Sequence, residues 1–267
     1  MLNDITLGQY YPARSIIHKL DPRVKIVLVL ALVVMLFVVD SLAGYLVTAG
    51  FVILMIIMSE VPFIFVLKGL KPILYILVFT SLLNIFLTDG TIVYKLGFLK
   101  ITYEGLILAA TMVARLILLV AATSLLTLTT SPIMLTSAIE KLLSPLKVFR
   151  FPAHEIAMMM TIALRFIPTL LEETEKLMKA QSARGTDFMS GGILQKIKAM
   201  VPILVPLFIN SLKRADELAL AMECRCYRGG DNRTSLKTLK ITGKDFVAIA
   251  VFVIYIAFII LTKTVIK

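Results

Sequence analysis

The stretch IVLVLALVVMLFVVDSLAGYLVTAGFVILMIIM, residues 26–58, holds two apolar runs, Ile26–Val39 and Leu42–Met58, separated by the polar pair Asp40-Ser41. With its flanking residues each run is just long enough to cross a hydrocarbon core about 30 Å thick. Ser59-Glu60-Val61-Pro62 closes the pair. Two spans back to back decide the fold class: an all-α integral membrane protein.

The rest of the chain extends the pattern. A third run follows Lys68 and Lys71 and continues from Pro72 to Leu87. Thr88–Tyr103 is polar, with Asp89-Gly90 as a turn signal. A fourth run occupies Gly105–Leu128 and a last one Phe246–Leu261, which makes about five transmembrane helices. Composition agrees. The chain of 267 residues is 59% apolar and only 17% charged, whereas soluble domains carry about a quarter charged residues.

Between the fourth and last runs the pattern turns amphipathic. Thr129-Thr130-Ser131-Pro132 reads as a helix start, with serine at the cap and proline in the first turn. The spacing predicts a short helix over Ile133–Leu143, stopped by Ser144-Pro145. A long one follows over Pro152–Ala183, then Gly191-Gly192, then a second long one over Ile193–Cys226. Pro202 and Pro206 are expected to kink or restart that second helix. The organisation is thus a cytoplasmic leader (1–25), transmembrane helices 1–4 (26–130), a cytoplasmic coupling domain of long amphipathic helices (131–245), and a last span with its tail (246–267).

Charge sets the expected orientation. Net charge is +11, and seventeen of the 28 Lys and Arg fall between Ser131 and Asp245, in the stretch without a clean span. Basic loops stay on the cytoplasmic side, and each juxtamembrane cation adds roughly 1 kcal/mol of attraction to anionic lipid. The leader carries Arg14, Lys19, Arg23 and Lys25 without an early apolar segment, so the expectation is an uncleaved, cytoplasmic N-terminus. No nucleic-acid-binding motif accompanies the basic residues. The stretch Ile193–Leu212 is a candidate sixth crossing, but a polar one.

Enzymatic chemistry finds no support. There is no phosphate-cradling Gly-x-x-x-x-Gly-Lys-Ser/Thr loop, and His18 and His154 lie too far apart to read as a pair. Glu172 and Glu175 each sit four residues before a lysine, Lys176 and Lys179, as on a solvated helix face. Cys224 and Cys226, the only cysteines, are too close for an unstrained disulfide. They lack further ligands for a metal nearby in sequence and read as small apolar residues in a reducing compartment.

One pattern stands out. Ala180-Gln181-Ser182-Ala183-Arg184-Gly185 is matched 41 positions on by Ala221-Met222-Glu223-Cys224-Arg225-Cys226, and Leu177 and Leu218 fall at the same offset. A cation in the last turn of a helix interacts well with its dipole, worth around 0.3–1 kcal/mol, and Gly185 supplies a left-handed C-terminal residue. Arg225, however, is not followed by glycine until Gly229, so capping alone does not account for it. Arginine also suits planar, multi-donor contact with a partner's carboxylates or carbonyls. Two matched cations on paired helices point to gripping a two-fold partner.

Other residues carry open readings. Arg115 lies mid-span, where a charge is costly unless satisfied; it either pairs within the bundle or the span is shifted toward an interface. Asn84 reads as a helix-to-helix hydrogen bond. Seven of the thirteen methionines lie between Met158 and Met222, including Met158-Met159-Met160. They read either as core filling or as an adaptable apolar surface.

The block Leu164-Arg165-Phe166-Ile167-Pro168, with Glu172-Glu173 and Ala180–Gly185 after it, resembles the transmembrane T component of energy-coupling factor (ECF) transporters. The Asp21-Pro22-Arg23-x-Lys25 opening of the first span and the Ala221–Arg225 block are similar too. The resemblance covers essentially the whole chain. It implies a scaffold between two ABC-type ATPase subunits and one or more membrane-embedded substrate-binding S components. ATP and Mg would be bound on the partner subunits, with no cofactor and no catalytic residue on this chain. Ala183-Arg184-Gly185 and Cys224-Arg225-Cys226 would dock in grooves of the two ATPases, the second departing from the usual Ala-Arg-Gly. The Met-rich surface, with Met158, Met159, Met160, Pro168, Pro202 and Pro206, would meet the S component. The cargo would be a vitamin or other micronutrient, carried across the cell membrane of a bacterial-type cell. Two other classes stay open: a self-contained secondary transporter, for which no symmetric broken spans are seen, and a membrane anchor for another cytoplasmic complex.

Overall fold

The computed structural model describes residues 10–39, 41–96, 99–149, 151–186, 188, 192–229 and 239–265. They fall into two compact units, one of residues 10–138 with 239–265, the other of residues 139–229. Asp40 and Gly191, which the sequence marks as breaks, lie outside the described residues.

The first unit is a helix bundle. Helices α1 (Pro22–Val38) and α2 (Leu42–Met58) take up the first two apolar runs. At 1.5 Å per residue each is about 25 Å long, somewhat short of the hydrocarbon thickness. The expected linker around Lys68 is itself a helix, α3 (Phe63–Leu70), which meets α4 (Leu74–Leu87) at a 61° bend. Lys71 keeps helical angles (φ −52°, ψ −48°), so the break comes from Pro72 itself, which has no N–H to donate and whose ring crowds the carbonyl one turn back. Helices α5 (Tyr103–Thr129) and α9 (Gly243–Val265) are long and apolar enough to cross a membrane, and α3 with α4 qualify together.

The polar stretch after α4 is not a plain loop. It forms an antiparallel hairpin of β1 (Ile92–Leu96) and β2 (Leu99–Thr102), in register Leu96↔Leu99 and Ile92↔Thr102, with an irregularity between Ile92 and Tyr94. Local polar chemistry fixes its ends. The Glu104 carboxylate accepts from the Thr91 N–H (2.7 Å) and hydroxyl, and Tyr103 N–H donates to Thr91 O. Thr102 caps α5 by accepting from Gly105 N–H while its hydroxyl donates to Thr88 O. A Cβ on Gly105 would stand 2.8 Å from Asn84 O, so glycine is what lets α5 approach α4 here. Asn84 therefore meets α5 through its backbone. Its side chain makes no hydrogen bond among the described residues, contrary to the expected helix-to-helix bond.

Burial concentrates where α1, α2, α5 and α9 meet. Leu36, Leu128 and Thr48 are almost wholly enclosed. The Phe51 and Tyr255 rings stack at 4.4 Å, and Tyr255 shares a 2.9 Å hydrogen bond with the Thr48 hydroxyl. Buried polar groups in an apolar bundle must be paired, and this pair joins α2 to α9. The outer faces carry exposed Leu, Ile, Val and Phe along every helix of the bundle, as lipid contact requires.

Asp21-Pro22-Arg23-x-Lys25 opens α1 and ties the bundle's end together. Asp21 caps α1 by accepting from Arg23 N–H (2.9 Å) and pairs with the Arg23 guanidinium (2.7 Å). Asp21 N–H donates to Asp245 Oδ1 (2.7 Å), and Asp245 Oδ2 accepts from the Thr242 N–H and hydroxyl. Arg23 also donates to Leu239 O. Lys25 Nζ donates to His18 O, Thr129 O and Thr130 Oγ1, and Tyr11 N–H donates to Leu128 O. One motif thus binds the leader, α1, the end of α5 and the start of α9. The Arg23 guanidinium beside it holds the Asp21 carboxyl below the usual aspartate range.

Helix α6 (Pro132–Leu143) begins in the first unit and runs into the second. A 3-10 turn over Ser144–Phe149 follows, then the two long helices α7 (Ala153–Ala183) and α8 (Ile193–Cys224). Pro168 lies inside α7, and Pro202 and Pro206 inside α8. Neither proline restarts α8, which is continuous. Its missing donors are lost one turn apart, and the surrounding turns carry the helix through. By length and composition α7 also qualifies as a span, because only Glu155 and Arg165 precede Glu172, from which its other charges run.

Candidate functional site

Both long helices stop in the same way. Arg184 and Arg225 are the C-cap residues of α7 and α8, with φ of −86° and −90°. The residue after each takes a left-handed conformation, Gly185 at φ +90° and Cys226 at φ +56°. Gly185 N–H donates to Ser182 O and Thr186 N–H to Gln181 O; Cys226 N–H donates to Glu223 O and Tyr227 N–H to Met222 O. That is the paired 6→1 and 5→2 pattern of a Schellman cap, at both ends. The sequence-based expectation that Arg225 lacks such a cap is corrected: Cys226 does what Gly185 does. A non-glycine residue there costs about 1 kcal/mol.

The caps decide where the arginines point their chemistry. The helix ends are turned off sharply at the residue after each arginine. Arg184 and Arg225 are exposed, as are Ala183, Gly185, Cys224 and Cys226. The last carbonyls are taken up by the cap, so each guanidinium is free to present its planar set of donors outward. Cys224 and Cys226 are free thiols. Among the described residues no group of three or more His, Cys, Asp and Glu side chains is placed to hold a metal ion.

Further back, α7 and α8 pack on each other, and a Glu173–Arg214 ion pair joins them. The expected pairs Glu172–Lys176 and Glu175–Lys179 are not among the ion pairs of the described residues. The acidic stretch works between helices instead, because Glu173 faces α8. Sequence spacing could not show that interhelical contact. His154 is likewise partnered, its Nδ1 lying 2.7 Å from Glu140.

The residues marked for an S component lie on α7 and α8. Met159, Met160, Pro168 and Pro202 are exposed, while Met158 and Pro206 are half-buried. On α8 the exposed apolar residues continue through Val201, Leu204, Val205, Phe208, Ile209 and Leu212. Arg115 is elsewhere, in the first unit. Its Nε and Nη2 donate to the Tyr45 hydroxyl at 3.0 and 2.7 Å, and the Phe37 ring lies 5.5 Å away. Phe37 ends α1 and Tyr45 opens α2, so Arg115 stands level with the turn between them. It pairs within the bundle, one of its two readings.

The fold and these helix ends define an all-α integral membrane protein carrying a pair of long helices with matched, exposed arginines. A family model described as CbiQ, cobalt transport protein, matches residues 13–236. The chain is 52% identical over 263 residues, 98% of each chain, to the energy-coupling factor transporter transmembrane protein EcfT of Ruminiclostridium cellulolyticum. It is 58% identical over 250 residues, 93% of each, to the EcfT protein of Clostridium kluyveri. To that of Bacillus subtilis it is 47% identical over 246 residues, 92% of this chain and 93% of the relative. The chain belongs to this family of ECF transporter transmembrane components.

Proposed function

We propose that this T component couples two cytoplasmic ABC-type ATPases to a substrate-binding S component, and that Arg184 and Arg225 are the points of coupling. The observation that carries the reading is the identity of the two helix ends: same cap, same position of arginine, same exposure. A pair of like ATPase subunits offers two like grooves, and two like plugs fit them. Ala183, Gly185, Cys224 and Cys226 flank the plugs.

ATP and Mg are bound by the ATPases. As the ATPases close on nucleotide, the two docked helix ends are moved, and α7 and α8 carry that motion to their apolar surface. The exposed Met159, Met160, Pro168 and Pro202, with Met158 and Pro206 beside them, form the face on which an S component turns and releases a vitamin or other micronutrient. The leader and the basic stretch from Ser131 to Asp245 lie on the cytoplasmic side, as their Lys and Arg content supports.

Replacing Arg184 and Arg225 together by glutamate tests the reading. Association with the ATPases is expected to be lost while the protein remains inserted in the membrane. Full transport by the double variant would overturn it.

A further inference from the structure

The ion pair between α7 and α8 joins residues 41 positions apart, Glu173 and Arg214. That is the same offset that relates Arg184 to Arg225. The two helices therefore touch through equivalent positions, each eleven residues before its arginine. Where two like helices cross on a local two-fold axis, equivalent residues face each other. Identical ionised residues would repel there, and this pair has opposite signs. Of the neighbouring equivalents, Glu172 matches Lys213 and Lys176 matches Glu217 with opposite signs, while Glu175 and Asp216 are alike.

Building on the coupling role proposed above, we infer that Glu173–Arg214 is the pivot of the crossed pair, the positioning contact that keeps its two arginine-bearing arms equal. Eleven residues of helix give each arm about 16 Å. A 10° change in the crossing angle then moves one tip relative to the other by at most about 3 Å. That is enough to unseat one plug while the other stays docked. Both side chains are only partly exposed, so water screens the pair less than it would at the surface. Opposite charges at one level allow rotation about the contact but penalise translation.

The test uses the full-length chain in nanodiscs. With Cys224 and Cys226 replaced by serine, spin labels at the exposed positions Ala180 and Ala221 report the distance between the arms. Glu173→Gln, close in size to the native side chain, is expected to broaden or shift that distance distribution. It is also expected to lower transport per ATP hydrolysed in the unlabelled complex at least several-fold. Glu173→Arg combined with Arg214→Glu restores the pair in reverse and is expected to recover both readouts. An unchanged distribution in Glu173→Gln, or a reversed pair that behaves like the single variant, overturns the pivot. If the wild-type chain captures no ATPase, the coupling role fails instead, and the spin-label distances still decide the pivot.

Discussion

Asp245 is wholly buried and accepts three hydrogen bonds, from Asp21 N–H, Thr242 N–H and the Thr242 hydroxyl. Asp245→Ala removes both carboxylate oxygens and leaves two backbone donors unpaired. Each such donor costs about 1–3 kcal/mol when buried. The Asp21 N–H bears the larger share, because its bond is buried and the Thr242 N–H bond only partly so. The sum is about 3–4 kcal/mol. For a chain of this length each kcal/mol shifts a melting temperature by about 2–4 °C, so a fall of about 10 °C is expected in detergent. Asp245→Asn keeps the shape but turns one NH2 toward an N–H donor, and is expected to give about half the loss. Thermal melts followed by intrinsic tyrosine fluorescence, with size-exclusion recovery after heating, measure both variants. A fall of less than 2 °C for Asp245→Ala would show that the α1–α9 junction does not depend on this carboxylate.

Two further outcomes follow from local geometry and charge. Cys226→Gly relieves a left-handed non-glycine residue and is expected to raise stability by about 1 kcal/mol, read as a small rise in melting temperature with ATPase capture retained; a lower melting temperature counts against the cap. Burial holds His18 below its ordinary value, and Arg23 holds Asp21 below its own. Both groups have depressed folded values, so their contributions are complete above the unfolded values and are lost on acidification. Melts should therefore weaken below the ordinary histidine value of 6.5, then again below the ordinary aspartate value of 3.8. His18→Gln should remove the first step only.

Much of the fold was legible because apolar run length is a local property. Ile26–Val39, Leu42–Met58, Gly105–Leu128 and Phe246–Leu261 all lie in helices near the expected bounds. The hairpin over Ile92–Thr102 was missed because Thr88–Tyr103 reads as a polar stretch, and the Thr91–Glu104 contact beyond its open end joins residues thirteen apart. The helix over Phe63–Leu70 was missed because Lys68 and Lys71 read as a polar linker, while its apolar face packs on α5 through the buried Val66. Asp245 gave no signal at all: a lone carboxylate before a span looks like ordinary helix-start chemistry. Its contact with Thr242 is local, but the Asp21 N–H that it accepts from stands 224 residues away.

The same division holds at the candidate site. The offset of 41 and the paired arginines are in the sequence, because a repeated helix end needs only a repeated string. That Cys226 substitutes for glycine, that Arg115 meets Tyr45, and that Glu173 reaches Arg214 on the neighbouring helix were decided by the tertiary structure. Periodicity sets which residues share a helix face. Only packing sets what that face meets, and the charges at the crossing are paired by proximity that no spacing along one helix records.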